Sequence, residues 1–262
     1  IPRTLAMSFY ADLDCSIIDE LPPGRTPIVT SLIANSRRDE VVMRIRDACK
    51  AGRQVYWVCP LIDESDVLEC QAAVNLSEQL QQVLPELKVG LIHGRMSASD
   101  KESAMHAFQK GETHLLVATT VIEVGVDVPN ASVMVIENAE RLGLWQLHQL
   151  RGRVGRGSIA SHCLLMYQYH LSEHAKERLV VMRETNDGFK IAKRDLELRG
   201  PGEVLGTRQT GDLAFRVADL MRDSDVLPQV YQSAEIMMSQ YSQMIEPLIN
   251  RWLGKGKEYG KV

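Results

Sequence analysis

Leu115-Leu-Val-Ala-Thr-Thr-Val-Ile-Glu-Val-Gly-Val-Asp-Val-Pro129 begins as an unbroken apolar run and ends in Thr, Glu, Gly, Asp and Pro chemistry. Continuous rather than alternating apolar residues mean a strand buried on both faces, as in a parallel sheet covered by helices. Further short apolar runs at 28–33, 55–59, 89–93, 133–137 and 162–167 read the same way. Helical patterns at 37–51, 65–84, 98–110 and 145–153 fall between them. Ser97 followed by Asp100 reads as an N-cap with an acidic first turn. This alternation predicts βαβ units and an α/β domain over about 25–170.

The strand pattern stops after about residue 170. Helical sequence resumes at 172–184 and near 187–198. Residues 199–211 carry too many breakers for regular structure and read as a structured loop. From about 215 a helical pattern returns, with interruptions expected at Pro228 and Pro247, and ends in a Lys/Gly-rich tail.

A length of 262 residues, 45% hydrophobic content and a mean hydropathy of -0.15 describe a soluble globular chain with a sizeable core. It has no apolar run of about 18 residues, so no membrane span is expected. The opening Ile1-Pro-Arg-Thr-Leu5 is neither an initiator Met nor a signal peptide, and it reads as the start of a piece of a longer protein. Five cysteines (Cys15, Cys49, Cys59, Cys70, Cys163) never form Cys-x-x-Cys; they read as reduced, buried thiols of a cytosolic protein.

Net charge is -4, but it is unevenly spread. Residues 1–140 carry 12 Lys+Arg against 20 Asp+Glu, whereas residues 141–216 carry 13 against 8. A local basic patch on an acidic body can follow a phosphate backbone; it can equally be a solvated helix face.

That basic region contains Gln149-Leu-Arg-Gly-Arg-Val-Gly-Arg156. Arg153 and Arg156 stand three apart, among Gly152, Gly155 and Gly157. Glycines let a backbone approach a partner closely, and guanidinium groups grip phosphate oxygens bidentately. Alone, the cluster would also suit a solvated basic loop. Its place about thirty residues after the 115–129 stretch makes it specific.

Other motifs lead nowhere. Ile17-Ile-Asp-Glu20 imitates a Mg²⁺-binding carboxylate pair but runs into Leu21-Pro-Pro23, and reads as linker. Gly200-Pro-Gly202 with Gly206 misses the dinucleotide spacing. His170 and His174 lack a third ligand, so no metal site is expected. No G-x-x-x-x-G-K-[ST] loop occurs, so nothing in the chain cradles the phosphates of a nucleotide.

The 115–129 and 149–156 stretches, in this order and separation, resemble motifs V and VI of superfamily 2 helicases. Ile1-Pro-Arg-Thr-Leu-Ala-Met7 looks like the end of motif III, and Tyr56-Trp-Val-Cys-Pro60 resembles motif IV. Residues 89–96 resemble the strand and HG segment between motifs IV and V. Asp195-Leu-Glu-Leu-Arg-Gly-Pro-Gly202, with Leu-Gly-Thr-Arg-Gln-Thr-Gly211 and Phe215-Arg-Val-Ala-Asp-Leu220, is similar to the translocation motif of RecG-type helicases. The transcription-repair coupling translocases carry a related segment. The resemblance covers essentially the whole chain.

The resemblance implies a RecA-like parallel sheet covered by helices, followed by a mainly helical C-terminal region. Residues 1–24 would be a remnant of the first RecA-like domain and linker. Residues 25–170 would form the second RecA-like domain, and 171–262 a helical hairpin, translocation loop and C-terminal helices. ATP and Mg²⁺ would be bound mainly by the first domain. Arg153 and Arg156 would reach across to the γ-phosphate, with Gln149 helping to place it. Asp127 would sit near the nucleotide sugar, and Glu123 and Gly125 would shape the turn. Thr119 would lie near the DNA backbone; Arg199 and Gln209 would turn domain closure into movement of duplex DNA.

The implied partners are branched double-stranded DNA and the first RecA-like and wedge domains of the same protein, in the bacterial cytoplasm. The implied function is remodelling of stalled forks and Holliday junctions in recombination and repair, with this stretch inactive alone. The runner-up is a transcription-repair coupling translocase, and a third reading is a non-catalytic nucleic-acid-binding module. Leu5, Met7, Phe9, Tyr10, Ile17 and Ile18 would normally pack on the first domain, so without it the segment is expected either to be mobile or to dock on another copy, as a dimer or by strand exchange.

Overall fold

The structure, a computed structural model, describes residues 25–60, 66–119, 128–157, 159–199 and 225–253. Segment 1–24, with its expected dimer contacts and Asp-Glu pair, lies outside the described residues, as do Glu123, Gly125, Asp127 and Gln209.

Six parallel strands form one sheet. They are β1 (Val29–Ala34), β2 (Gln54–Val58), β3 (Val89–Ile92), β4 (Leu115–Ala118), β5 (Ala131–Ile136) and β6 (His162–Tyr167), in the spatial order β1-β6-β5-β2-β4-β3. Every residue of β2, β4 and β5 is buried, while edge strands β1 and β3 are only partly covered. The unbroken apolar runs therefore belong to the central strands, as burial on two faces requires.

Helices α1 (Arg38–Lys50) and α2 (Asp66–Val83) cover one face. There Val41, Val42 and Ile45 meet Trp57, Leu115 and Val135 in one cluster with Ala73, Leu76 and Leu80. The opposite face carries α3 (Ala98–Gln109), α4 (Leu144–Arg151), α5 (Glu173–Glu184) and α6 (Gly188–Arg199). Phe108, Leu144, Leu147, Leu150, Leu179, Met182 and Ile191 pack there against Tyr56, Leu116, Met134 and Leu165. The result is a three-layer α/β/α sandwich.

Local signals hold. Ser97 caps α3, its hydroxyl accepting from the Asp100 N–H at 3.1 Å, and Ser172 does the same for α5 with Ala175 N–H at 3.2 Å. Two compact units divide the described residues, one reaching to Arg199 and the other starting at Asp225. Helices α5 and α6, which the sequence groups with the tail, lie in the sheet unit: α5 packs on β1 and α6 on α4. The second unit holds α7 (Leu227–Gln240) and α8 (Ile245–Leu253). Pro228 and Pro247 stand in the first turns of these helices, where a missing N–H leaves no helical bond unmade. They begin helices rather than interrupt one.

Candidate functional site

The apolar stripe of α4, Leu144, Leu147 and Leu150, anchors the helix on the sheet. Gln146 caps its start, its side-chain carbonyl accepting from the Gly143 N–H at 3.0 Å. At its end the Gly152 N–H donates to the His148 carbonyl, and the Arg153 N–H to that of Leu150, both at 3.0 Å. Val154 is buried and pins the loop that follows.

Gly155 has φ +75°, and a Cβ there would lie 2.9 Å from Ile28 Cγ1. A Cβ on Gly157 would lie 2.6 Å from the Pro129 carbonyl oxygen. These glycines therefore admit the chain's own frame as close neighbours. Ile28, Pro129 and Ser161 precede β1, β5 and β6, so the loop bearing Arg153 and Arg156 is seated at the N-terminal end of those strands. Both arginines are partly buried; Gln149, one turn earlier on α4, is exposed.

Thr119 stands at the other end of the sheet. It follows β4, its N–H donates to the Ile92 carbonyl at 3.1 Å, and its side chain is fully buried. The same end carries the His93–Met96 turn, where Lys101 Nζ donates to the Gly94 carbonyl at 2.7 Å. Beside it, Arg38 pairs with Glu137 at 2.8 Å and lies 5.6 Å from the Trp57 ring centroid. A cleft of about 300 Å³ there is lined by Asn35, Arg38, Asn75, Gln79, Glu137 and Gln168. The arginine loop and Thr119 thus occupy opposite ends of one sheet. Val128 and Pro129, the end of the 115–129 stretch, stand with the arginine loop. Arg199 ends α6, the helix that leads into the 199–211 stretch.

Between Gln149 and Arg153 stands Arg151, to which the sequence assigned no role. It is fully buried, and one guanidinium nitrogen donates to the Met182 carbonyl at 2.7 Å, the Thr185 carbonyl at 2.9 Å and Thr30 Oγ1 at 3.3 Å. The other lies 3.2 Å from His148 Nδ1. Burial lowers the Arg151 pKa from its ordinary value. Burial, then the Arg151 charge, also lowers that of His148, which leaves its Nδ1 free to accept. The available signal was position: Leu144, Leu147 and Arg151 share the core-facing stripe.

Cys49, Cys59, Cys70 and Cys163 are buried free thiols, and burial pushes Cys163 up to about 12 and Cys49 to about 11. Among the described residues no three His, Cys, Asp or Glu stand together as a metal site, and no helix is long and apolar enough to cross a membrane.

Residues 38–158 match the helicase conserved C-terminal domain, and residues 185–259 match the C-terminal part of domain 3 of the ATP-dependent DNA helicase RecG. The chain is 60% identical over 263 aligned positions to the ATP-dependent DNA helicase RecG of Escherichia coli O157:H7. It is 59% identical to that of Haemophilus influenzae. All of this chain is matched in each case, and it spans 38% of each relative's length. A solved structure of RecG bound to a three-way DNA junction matches with a TM-score of 0.67 and 48% identity, over 87% of this chain and 29% of that one.

Proposed function

The chain belongs to the RecG family of ATP-dependent DNA helicases, and from that premise we propose that it supplies the second RecA-like half of a motor that translocates on branched double-stranded DNA. The observation that supports this most is the seat of Arg153 and Arg156. Their loop is clamped on Ile28 and Pro129, so two guanidinium groups stand on a rigid frame at one end of the sheet. Fixed cations of this kind stabilise charge that develops on a phosphoryl group in flight, without reorganisation at the moment of reaction. Arginine fingers typically contribute about 10³–10⁵ in rate.

In this reading ATP lies between this domain and a first RecA-like domain. Arg153 and Arg156 reach the γ-phosphate and Gln149 helps to place it. Asp127 meets the nucleotide sugar, with Glu123 and Gly125 shaping its turn. Mg²⁺ belongs mainly with the first domain. Thr119, buried at the far end of the sheet, lies near the DNA backbone without touching it. Arg199 and Gln209 convert closure into movement of the duplex. The setting is the bacterial cytoplasm, and the process is remodelling of forks and junctions in repair and recombination. The sheet unit is the motor domain.

The test is Arg156→Ala in the full-length protein with a branched DNA. ATP turnover falls at least about a thousandfold while ATP affinity stays within about tenfold, because a finger acts mainly in the transition state. A large loss of affinity with normal kcat contradicts the assignment. The 262-residue chain alone shows no DNA-stimulated ATPase.

A further inference from the structure

Arg151 gathers carbonyls from the last turn of α5 and its C-cap. Those groups have no partner within their own helix, and they form the negative end of its dipole. Arg151 is itself the last residue of α4, so one guanidinium serves the C-terminal ends of two helices, and its bond to Thr30 ties both to β1. It stands two residues before Arg153 and five before Arg156.

Two more contacts join the same pair of regions. The ring of His148, on α4, packs on Gly188, where a Cβ would lie 3.0 Å from His148 Nε2. Asn186 Nδ2 donates to the Ile28 carbonyl at 3.1 Å, and Ile28 is the residue on which Gly155 rests. The α5–α6 turn, residues 185–188, is thus held by the arginine helix through Arg151 and His148, and by the arginine loop's own seat through Ile28. From that turn α6 begins, with Asp187 Oδ1 accepting from the Phe189 N–H at 2.9 Å, and it runs to Arg199.

We propose that Arg151, with the His148–Gly188 contact, makes the Arg153/Arg156 loop and the α5–α6 turn one rigid body. A change of loop position on nucleotide binding or hydrolysis is then passed to α6 without slack. Arg151 is a positioning residue: it acts through the fingers and the turn and touches neither ATP nor DNA. Lysine cannot replace it in full, because a single ammonium has no second nitrogen to meet His148 Nδ1 while it serves the carbonyls and the hydroxyl. The proposal rests on the motor reading above.

The experiment measures ATP hydrolysed and fork unwound, in the same reaction, by the full-length protein and its Arg151→Lys and Gly188→Ala variants. Gly188→Ala leaves Arg151 intact and pushes only on the His148 ring. Fork unwound per ATP should drop at least about tenfold in Arg151→Lys and several-fold in Gly188→Ala, with kcat for ATP within about threefold of the parent. Equal loss of both activities, leaving the ratio unchanged, overturns the proposal and makes Arg151 a packing residue. Should Arg151→Lys fail to fold, Gly188→Ala decides, and a parental ratio in it overturns the proposal. A parent without branched-DNA-dependent ATPase overturns the motor reading itself, a separate outcome seen before any variant is compared.

Discussion

Gly157 stands against Pro129 so closely that a Cβ on the glycine would come within 2.6 Å of the Pro129 carbonyl oxygen. That contact joins the end of the arginine loop to the end of the 115–129 stretch. It lies between backbone atoms, so no side-chain rotation can relieve an added methyl.

Gly157→Ala should therefore move the loop or the Pro129 turn. Overpacking of this kind costs about 1–3 kcal/mol, which lowers Tm by about 2–12 °C in a unit of this size. In the full-length protein ATPase should fall by about tenfold or more. Thermal melting together with steady-state ATPase checks this; parental values in both would show the contact to be compliant.

Arg199→Ala or Gln209→Ala in the full-length protein should retain ATPase and lose fork unwinding. The residues follow the proposed arginine fingers in sequence and carry no nucleotide chemistry of their own. Loss of both activities in equal measure would return them to a packing role.

Cys163 supplies a prediction about pH. Burial raises its folded pKa to about 12, above an unfolded value of about 8.5. A raised pKa means that the folded state holds the proton longer. The corresponding stability is complete below about pH 8.5 and is lost as pH rises toward 12, at about 1.4 kcal/mol per pH unit. Cys163→Ala should lack this component, so its stability should fall less steeply than the parent's between pH 9 and 11 in urea melts. Identical slopes would mean that the thiol is reached by solvent. At pH 8 the thiol should resist alkylation in the folded protein.

Much of this protein was legible in its sequence because the governing physics is local. Apolar runs at 115–119 and 133–137 read as strands covered on both faces, and the structure buries every residue of β4 and β5. Ser97 and Ser172 mark helix starts through a hydroxyl that meets a backbone N–H three residues on.

Other features depend on contacts between residues far apart in the chain, and only the tertiary structure decided them. The strand order β1-β6-β5-β2-β4-β3 places Thr119 and Arg156 at opposite ends of the sheet, although they are close in sequence. Arg151 reads like a third basic residue of the motif, yet its partners Thr30, Met182 and Thr185 lie 121, 31 and 34 positions away. Gly155 and Gly157 are small because Ile28 and Pro129 occupy the space a side chain would need. Pro228 and Pro247 show the reverse limit: the same residue breaks or begins a helix according to where its first turn falls. Periodicity and capping are written within a few residues of chain, whereas burial of a charge and close approach of a backbone are properties of the folded packing, where distant segments supply the partners.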